Sequence, residues 1–390
     1  MNAILKTFPV WAEIDLDAIA HNLSVVKRLV KPSTAVMAVV KANGYGHGAT
    51  AVAQTAFECG VSKIGVARFS EAIELRKAGI TQPILIFGYT PPVLADALIE
   101  NNIAQTVPSL SYAQELNHHA SQAGARITVH LKIDTGMGRL GFATYQSEGK
   151  STGDQNIAAN FLDQMRRLCR CNNLLREGVY THFAASDSSN KSSANKQLGL
   201  FKNYLALLEA ENIRFSIKHA SNSGAVCNLP DAHLDMVRPG VMLYGLYPSE
   251  EIRRSSIVLK PAMQIKARIA QVKNVPKGFS VGYGHTYSTP KATRLATIPI
   301  GYGDGFNRHL SSSGAMLVRG QRAPVVGRVC MDQTIIDVGH IRDINNDDEV
   351  IVMGQQGDQM VSADEIAQRI ETINYEVVTS LMSRVPRVIV

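Results

Sequence analysis

Lys41 stands where an apolar run ends and a glycine-bearing turn begins. The stretch from Ala35 to Gly48 reads AVMAVVKANGYGHG, and its Val-rich first half has the texture of a strand buried on both faces. Lysine is rarely set in such surroundings without a partner or a task. Burial strips water from an ammonium and lowers its pKa, so the amine can act as nucleophile or base near neutral pH. Lys41 is therefore a candidate Schiff-base lysine. The plain alternative is a strand-end lysine that snorkels into solvent.

A second dense segment is KIDTGMGRLGF, Lys132 to Phe142. It sets Lys132, Asp134 and Arg139 close together at a strand end. A surface ion cluster of that kind is worth little energetically, but the three glycines of the segment argue for a functional loop. SNSG (Ser221 to Gly224) and RPGV (Arg238 to Val241) each offer backbone amides at a short helix start, where a phosphate can sit. Serine-rich turns are more often simple caps. GYGHTY (Gly282 to Tyr287) and IGYGDGF (Ile300 to Phe306) place Tyr283 and Tyr302 between glycines. A tyrosine in a β domain is usually a packing residue, although a phenol beside a cation can serve as acid or base. CMDQ, Cys330 to Gln333, reads as a β turn.

The elements that must position these groups alternate along the first 255 residues. Asp15 or Asp17 can cap a helix whose apolar residues Leu16, Ile19, Leu23, Val26 and Val30 step by three and four, ended by Pro32. Strands are expected at Val36–Lys41, Ile64–Ala67, Ile84–Phe87, Ala104–Val107, Val129–Ile133, Gly178–His182, Ser216–Ala220 and Met236–Pro239. Helical patterns such as Ser70–Ala78 and Ser109–Ala123 lie between them. Eight strands with intervening helices in about two hundred residues imply an α/β fold, a (β/α)8 TIM barrel. Such barrels carry their chemistry at the C-terminal strand ends, and Lys41, Lys132, Asp134, His182, His219 and Arg238 fall there. That clustering favours a shared site over a snorkelling lysine. From residue 256 to 390 the pattern changes to short β runs divided by Gly, Pro and Asn-Asp turns, a mainly-β domain. Ser362 and Glu365 there form the signature of a capping box.

At 390 residues, 45% hydrophobic and 19% charged, the chain suits two globular domains. The formal charge of +7 is carried by scattered Lys and Arg residues, without the basic runs and interleaved aromatics of a nucleic-acid surface. Five cysteines at irregular spacing make neither a disulfide framework nor a zinc site. No metal site, membrane span or signal peptide is expected, and the reading is a reduced, cytoplasmic protein. Gly44, Gly46 and Gly48 do not form a dinucleotide fingerprint, and there is no Walker lysine pattern.

Together the motifs VVKANGYGHG, KIDTGMGRLGF, THFA, HASNSG, VRPGVMLYG, VGYGHTY, IGYGDGF, VCMDQ and INYEV, in that order from PVWAEIDL to RVPR, closely resemble the alanine racemase family. No departure removes a catalytic group. The resemblance implies a pyridoxal 5'-phosphate enzyme that interconverts L-alanine and D-alanine by two bases. Lys41 would hold the cofactor and serve the face that gives D-alanine its proton. Tyr283, from the other subunit of a homodimer, would serve the L-alanine face. His182 and Arg238 would link toward that tyrosine, with Arg238 donating to the cofactor's pyridine nitrogen. Tyr45, Ser223, Gly240, Val241 and Tyr375 would hold the phosphate, and Arg139 would lie by the phenolic oxygen. The Met331 amide would hold the substrate carboxylate, and Tyr302 and Tyr375 would narrow the entrance. Lys132 would be a carbamylated lysine, and the product would supply peptidoglycan. Alternatives are a serine or broad-specificity racemase, a decarboxylase of the same architecture, and a non-catalytic or regulatory cofactor-binding protein. Decarboxylases of that kind present a glutamate where Arg238 stands, and the retained Tyr283 argues against a protein without catalysis.

Overall fold

A computed structural model describes residues 8–144, 154–253 and 257–390. The expected domain boundary at 255/256 lies outside the described residues. The chain divides into two compact units, one of Ile19–Gly44 with Ala49–Leu259, the other of the described residues up to Ala18 with Tyr45–Gly48 and Lys260–Val390.

The first unit is a closed barrel of eight parallel strands. They are β1 (Ala35–Val39), β2 (Lys63–Val66), β3 (Ile84–Ile86), β4 (Ile103–Val107), β5 (Ile127–Asp134), β6 (Leu174–Tyr180), β7 (Ile217–His219) and β8 (Met236–Val237). Each pairs with the next, and β8 returns to β1 through Met236 opposite Ala35. The parallel ladder requires a crossover between successive strands, and helices supply it. The helix Leu110–Gln122 is capped by Ser109, whose hydroxyl accepts from the Tyr112 amide at 3.2 Å. Gly60, Gly79 and Gly124 take the left-handed conformation that ends the preceding helices. Met37, Leu85 and Met236 pack together inside the barrel. Gly65 makes room for that layer, because a Cβ there would stand 2.4 Å from the Phe87 ring.

The second unit is mainly β. Its larger sheet runs Gln321–Pro324, Ala315–Val318, Glu349–Gln356, Met263–Arg268, Val10–Ile14, Arg387–Ile389. The opening strand, which by position fell within residues 1–255, pairs antiparallel with Met263–Arg268 and parallel with Arg387–Ile389. The single cut expected from the sequence therefore splits a sheet whose first strand comes from the other end of the chain. Asp15 is the helix cap, accepting from the Ala18 amide at 2.8 Å. The capping box expected at Ser362 is half formed. Ser362 accepts from the Glu365 amide, but the Glu365 carboxylate turns to Arg322, 2.7 Å from each of two guanidinium nitrogens, because a bidentate charged pair outweighs one neutral amide.

Candidate active site

The polar strand ends of the barrel unit converge. Lys41 follows β1, and the chain then turns through Ala42, Asn43, Gly44 and Tyr45 with φ of 52, 52, 61 and 50°. Four consecutive left-handed residues cost roughly 1–2 kcal/mol for each that is not glycine. Side chains hold the turn. Glu71 accepts from the Ala42 amide at 2.6 Å, and Asn43 from the Ala49 amide at 2.9 Å. Burial first, and then the Arg139 cation, holds the Lys41 amine below its ordinary pKa, against a smaller opposing pull from Glu71.

Lys132 lies near the end of β5 and is 5% exposed. Burial, with Arg139 and Arg238 nearby, pulls its pKa down to about 8. Asp134 is bound within its own loop. Its carboxylate accepts from the amides of Gly136, Met137 and Gly138 at 2.9–3.1 Å, so it shapes the loop that carries Arg139. Gly141 lets that loop return, since a Cβ there would stand 2.7 Å from the Asp134 amide.

Arg238, just past β8, is the most constrained group. Nη2 donates to the carbonyls of Thr181 at 2.8 Å and Ala220 at 3.0 Å, and lies 3.4 Å from Nδ1 of His182. Nη1 lies 2.8 Å from Nδ1 of His219. Burial lowers its pKa to about 10, still a cation at neutral pH. His182 is held well below its ordinary pKa by burial and by Arg238, Arg139, Lys132 and Lys41, and is therefore neutral. Tyr180 lies under this group, stacked on His219 at 4.7 Å and 12°, with the Arg238 guanidinium 5.1 Å above its ring centre. Tyr180 and His130 are site residues that sequence reasoning missed. The only signal either carried was its position within an interior strand.

Ser223 opens a short helix and Val241 a 3-10 turn. They belong together, because the Ser223 hydroxyl accepts from the Gly240 amide at 2.9 Å. Accepting that bond leaves the hydroxyl proton for an anion.

The second unit holds the remaining candidates. Tyr45 is buried, its ring 6.2 Å from that of Tyr375. Tyr283 and Met331 are 68% and 52% exposed, and both line an open hollow of about 650 Å³ with His285, Cys330 and Asp332. The chain bends at Met331 and Asp332 with the Cys330 amide donating to the Gln333 carbonyl at 2.9 Å, while the Cys330 carbonyl, which would close the expected β turn, accepts from the Tyr302 amide at 3.0 Å. Tyr302 is 42% exposed beside the buried Asp304. Among the described residues no group of three or more His, Cys, Asp or Glu side chains could hold a metal, and no helix is long and apolar enough to cross a membrane.

Lys41, Lys132, Arg139 and Arg238 thus gather around a neutral histidine, while one nearby carboxylate, Asp134, is spent on backbone amides. Such a concentration of positive charge, with Lys132 and Arg238 buried, Lys41 half-buried and Arg139 exposed, suits an anionic ligand, and a phosphorylated aldehyde fits the donors present.

Residues 14–248 match the family described as alanine racemase, N-terminal domain, and residues 262–389 its C-terminal domain. An alanine racemase of Desulfosudis oleivorans is 50% identical over 384 residues, 98% of this chain and 97% of the relative. One from Desulforamulus reducens is 49% identical, over 97% of this chain and 98% of the relative. Among solved structures, alanine racemase from Clostridium difficile 630 superposes with a TM-score of 0.91 at 39% identity, over 98% of this chain and 96% of that one. With both halves matched, in the same order and over nearly their whole length, the chain belongs to the alanine racemase family.

Proposed function

We propose that the protein interconverts L-alanine and D-alanine with pyridoxal 5'-phosphate bound at Lys41. The observation that carries this reading is a desolvated strand-end lysine in the same cluster as a buried arginine whose own hydrogen-bond partners are uncharged. When bound, the cofactor supplies the electron sink that makes an amino acid Cα–H acidic. The rest falls to the chain. The Ser223 hydroxyl, the Gly240 and Val241 backbone, Tyr45 and Tyr375 hold the phosphate. Arg139 faces the phenolic oxygen, and Arg238 donates to the ring nitrogen. A guanidinium keeps its proton at any working pH, so it cannot protonate that nitrogen. The ring remains neutral, which restrains side reactions.

Inversion needs a proton carrier on each side of Cα. Lys41 takes one side, its lowered pKa leaving more of the amine unprotonated. Tyr283 of the partner subunit takes the other, with the Met331 amide on the substrate carboxylate and Tyr302 at the entrance. The exposure of Tyr283 and Met331 on one hollow supports a homodimer in which residues 256–390 complete the neighbour's site. His182, beside Arg238, extends the hydrogen-bonded path toward that tyrosine. Lys132, whose neutral amine is accessible near pH 8, is the form that takes up carbon dioxide, and a carbamate there would orient Arg139. The biological role that follows is cytoplasmic D-alanine supply for peptidoglycan.

A chiral assay of purified protein with alanine, serine and a basic amino acid tests the reading. Exchange between L- and D-alanine is expected, and none with cofactor bound overturns it.

A further inference from the structure

Beneath Arg238 the barrel holds a row of titratable groups that the reaction does not touch. His219 Nδ1 faces the guanidinium at 2.8 Å, and its Nε2 lies 2.8 Å from Nδ1 of His130. Nε2 of His130 lies 2.8 Å from a carboxylate oxygen of Glu177. Lys63, the first residue of β2, closes the row with its amine 2.8 and 2.9 Å from the two Glu177 oxygens.

Chemistry fixes where the protons are. A guanidinium has no acceptor, so Nδ1 of His219 is bare and Nε2 carries the hydrogen. That hydrogen meets Nδ1 of His130, which is bare in turn, and His130 donates from Nε2 to the carboxylate. Both rings are fully buried, and burial holds both below their ordinary pKa, so both are neutral. Every bond in the chain points from Arg238 at the C-terminal end of the barrel toward Glu177. The rings have little freedom to turn over, His219 being stacked on Tyr180 and His130 lying against Gly178. All the hydrogen-bond partners around Arg238 itself are uncharged carbonyls and imidazoles. The one anion in the chain is Glu177, two histidines away.

We propose that Glu177 is a positioning residue for Arg238, anchoring it through a one-way hydrogen-bond chain across the barrel interior. Hydrogen bonds in a low-dielectric chain polarise one another, so an anionic acceptor at the far end tightens the bond at the near end. The arginine is thereby held where it meets the cofactor's ring nitrogen, a clause that rests on the function proposed above.

The test is the low-field imidazole N–H spectrum of the full-length protein, with 15N-labelled histidine, first without and then with pyridoxal phosphate. In the wild type two Nε2-bound protons are expected, from His130 and His219, with both Nδ1 atoms bare. Glu177→Gln keeps an acceptor oxygen and removes the charge, so both resonances should move upfield together while the tautomers stay. A His219 resonance that stays put while that of His130 moves would overturn the proposal, because the chain would then transmit nothing. Glu177→Met removes the acceptor and should weaken pyridoxal phosphate binding about tenfold, the worth of one charge-assisted hydrogen bond, with partial rescue in Glu177→Gln. Wild-type affinity in Glu177→Met would likewise overturn it. A wild-type protein that binds no cofactor would refute the proposed function instead, and the cofactor-free spectra would still decide the chain.

Discussion

A Cβ on Gly178 would stand 2.2 Å from Nδ1 of His130. The glycine on β6 is thus the space in which the buried ring of β5 lies. Gly178→Ala should cost about 1–3 kcal/mol, the usual penalty of overpacking, and displace His130 from His219. Thermal unfolding measures the first effect, and the His219 N–H resonance the second. A variant of unchanged stability would show that β6 shifts without strain.

Tyr283 can be altered with little structural consequence, because two thirds of it faces solvent. Tyr283→Phe should unfold at the wild-type temperature yet lose racemisation by about 10²-fold or more, the lower range for a positioned acid or base. Exchange of Cα–H with deuterated solvent should persist from the enantiomer served by Lys41. Equal loss of exchange from both enantiomers would contradict the two-sided assignment.

Lys132 gives a pH signature. Its folded-state pKa of about 8 lies below the free value of 10.5, so above pH 10.5 neither state is protonated and the lysine costs nothing. As pH falls, the unfolded chain takes up the proton first, and stability drops until the folded pKa is reached. The shift corresponds to about 3 kcal/mol below pH 8. In bicarbonate-free buffer Lys132→Met should therefore melt above the wild type at pH 7, with the gap closing as pH rises toward 10.5. Added bicarbonate should raise the wild type alone if Lys132 is carbamylated.

Arg238→Glu exchanges a fixed cation for a group able to share a proton with a pyridine nitrogen. Racemisation should fall at least about tenfold, a change of 1.4 kcal/mol in the barrier, while the ratio of transamination to racemisation rises. An unchanged ratio, read from pyruvate and D-alanine formed together, would remove the argument for a neutral ring.

Arg384 bridges Asp304 at 2.7 Å and Asp332 at 2.8 Å, and also reaches the Met331 carbonyl. Arg384→Met should free the turn at Met331 and raise the KM for alanine more than it lowers kcat. A kcat loss with unchanged KM would place Arg384 in some other role.

The sequence by itself determined the eight barrel strands, several helix caps and the polar strand ends, because side-chain periodicity and capping are local and leave a mark within a few residues. Lys41, Lys132, His182 and Arg238 were legible for that reason. Partnership is not local. Periodicity says which face of Val10–Ile14 is buried, but not that its neighbours are Met263–Arg268 and Arg387–Ile389. Nor does it reveal that Asp134 accepts from three loop amides, or that nitrogens of His130 and His219, 89 residues apart, lie 2.8 Å from each other. Only the closed barrel decided these, since closure brings β5 and β7 to either side of β6 and makes neighbours of His219, legible at a strand end, and His130, which was not.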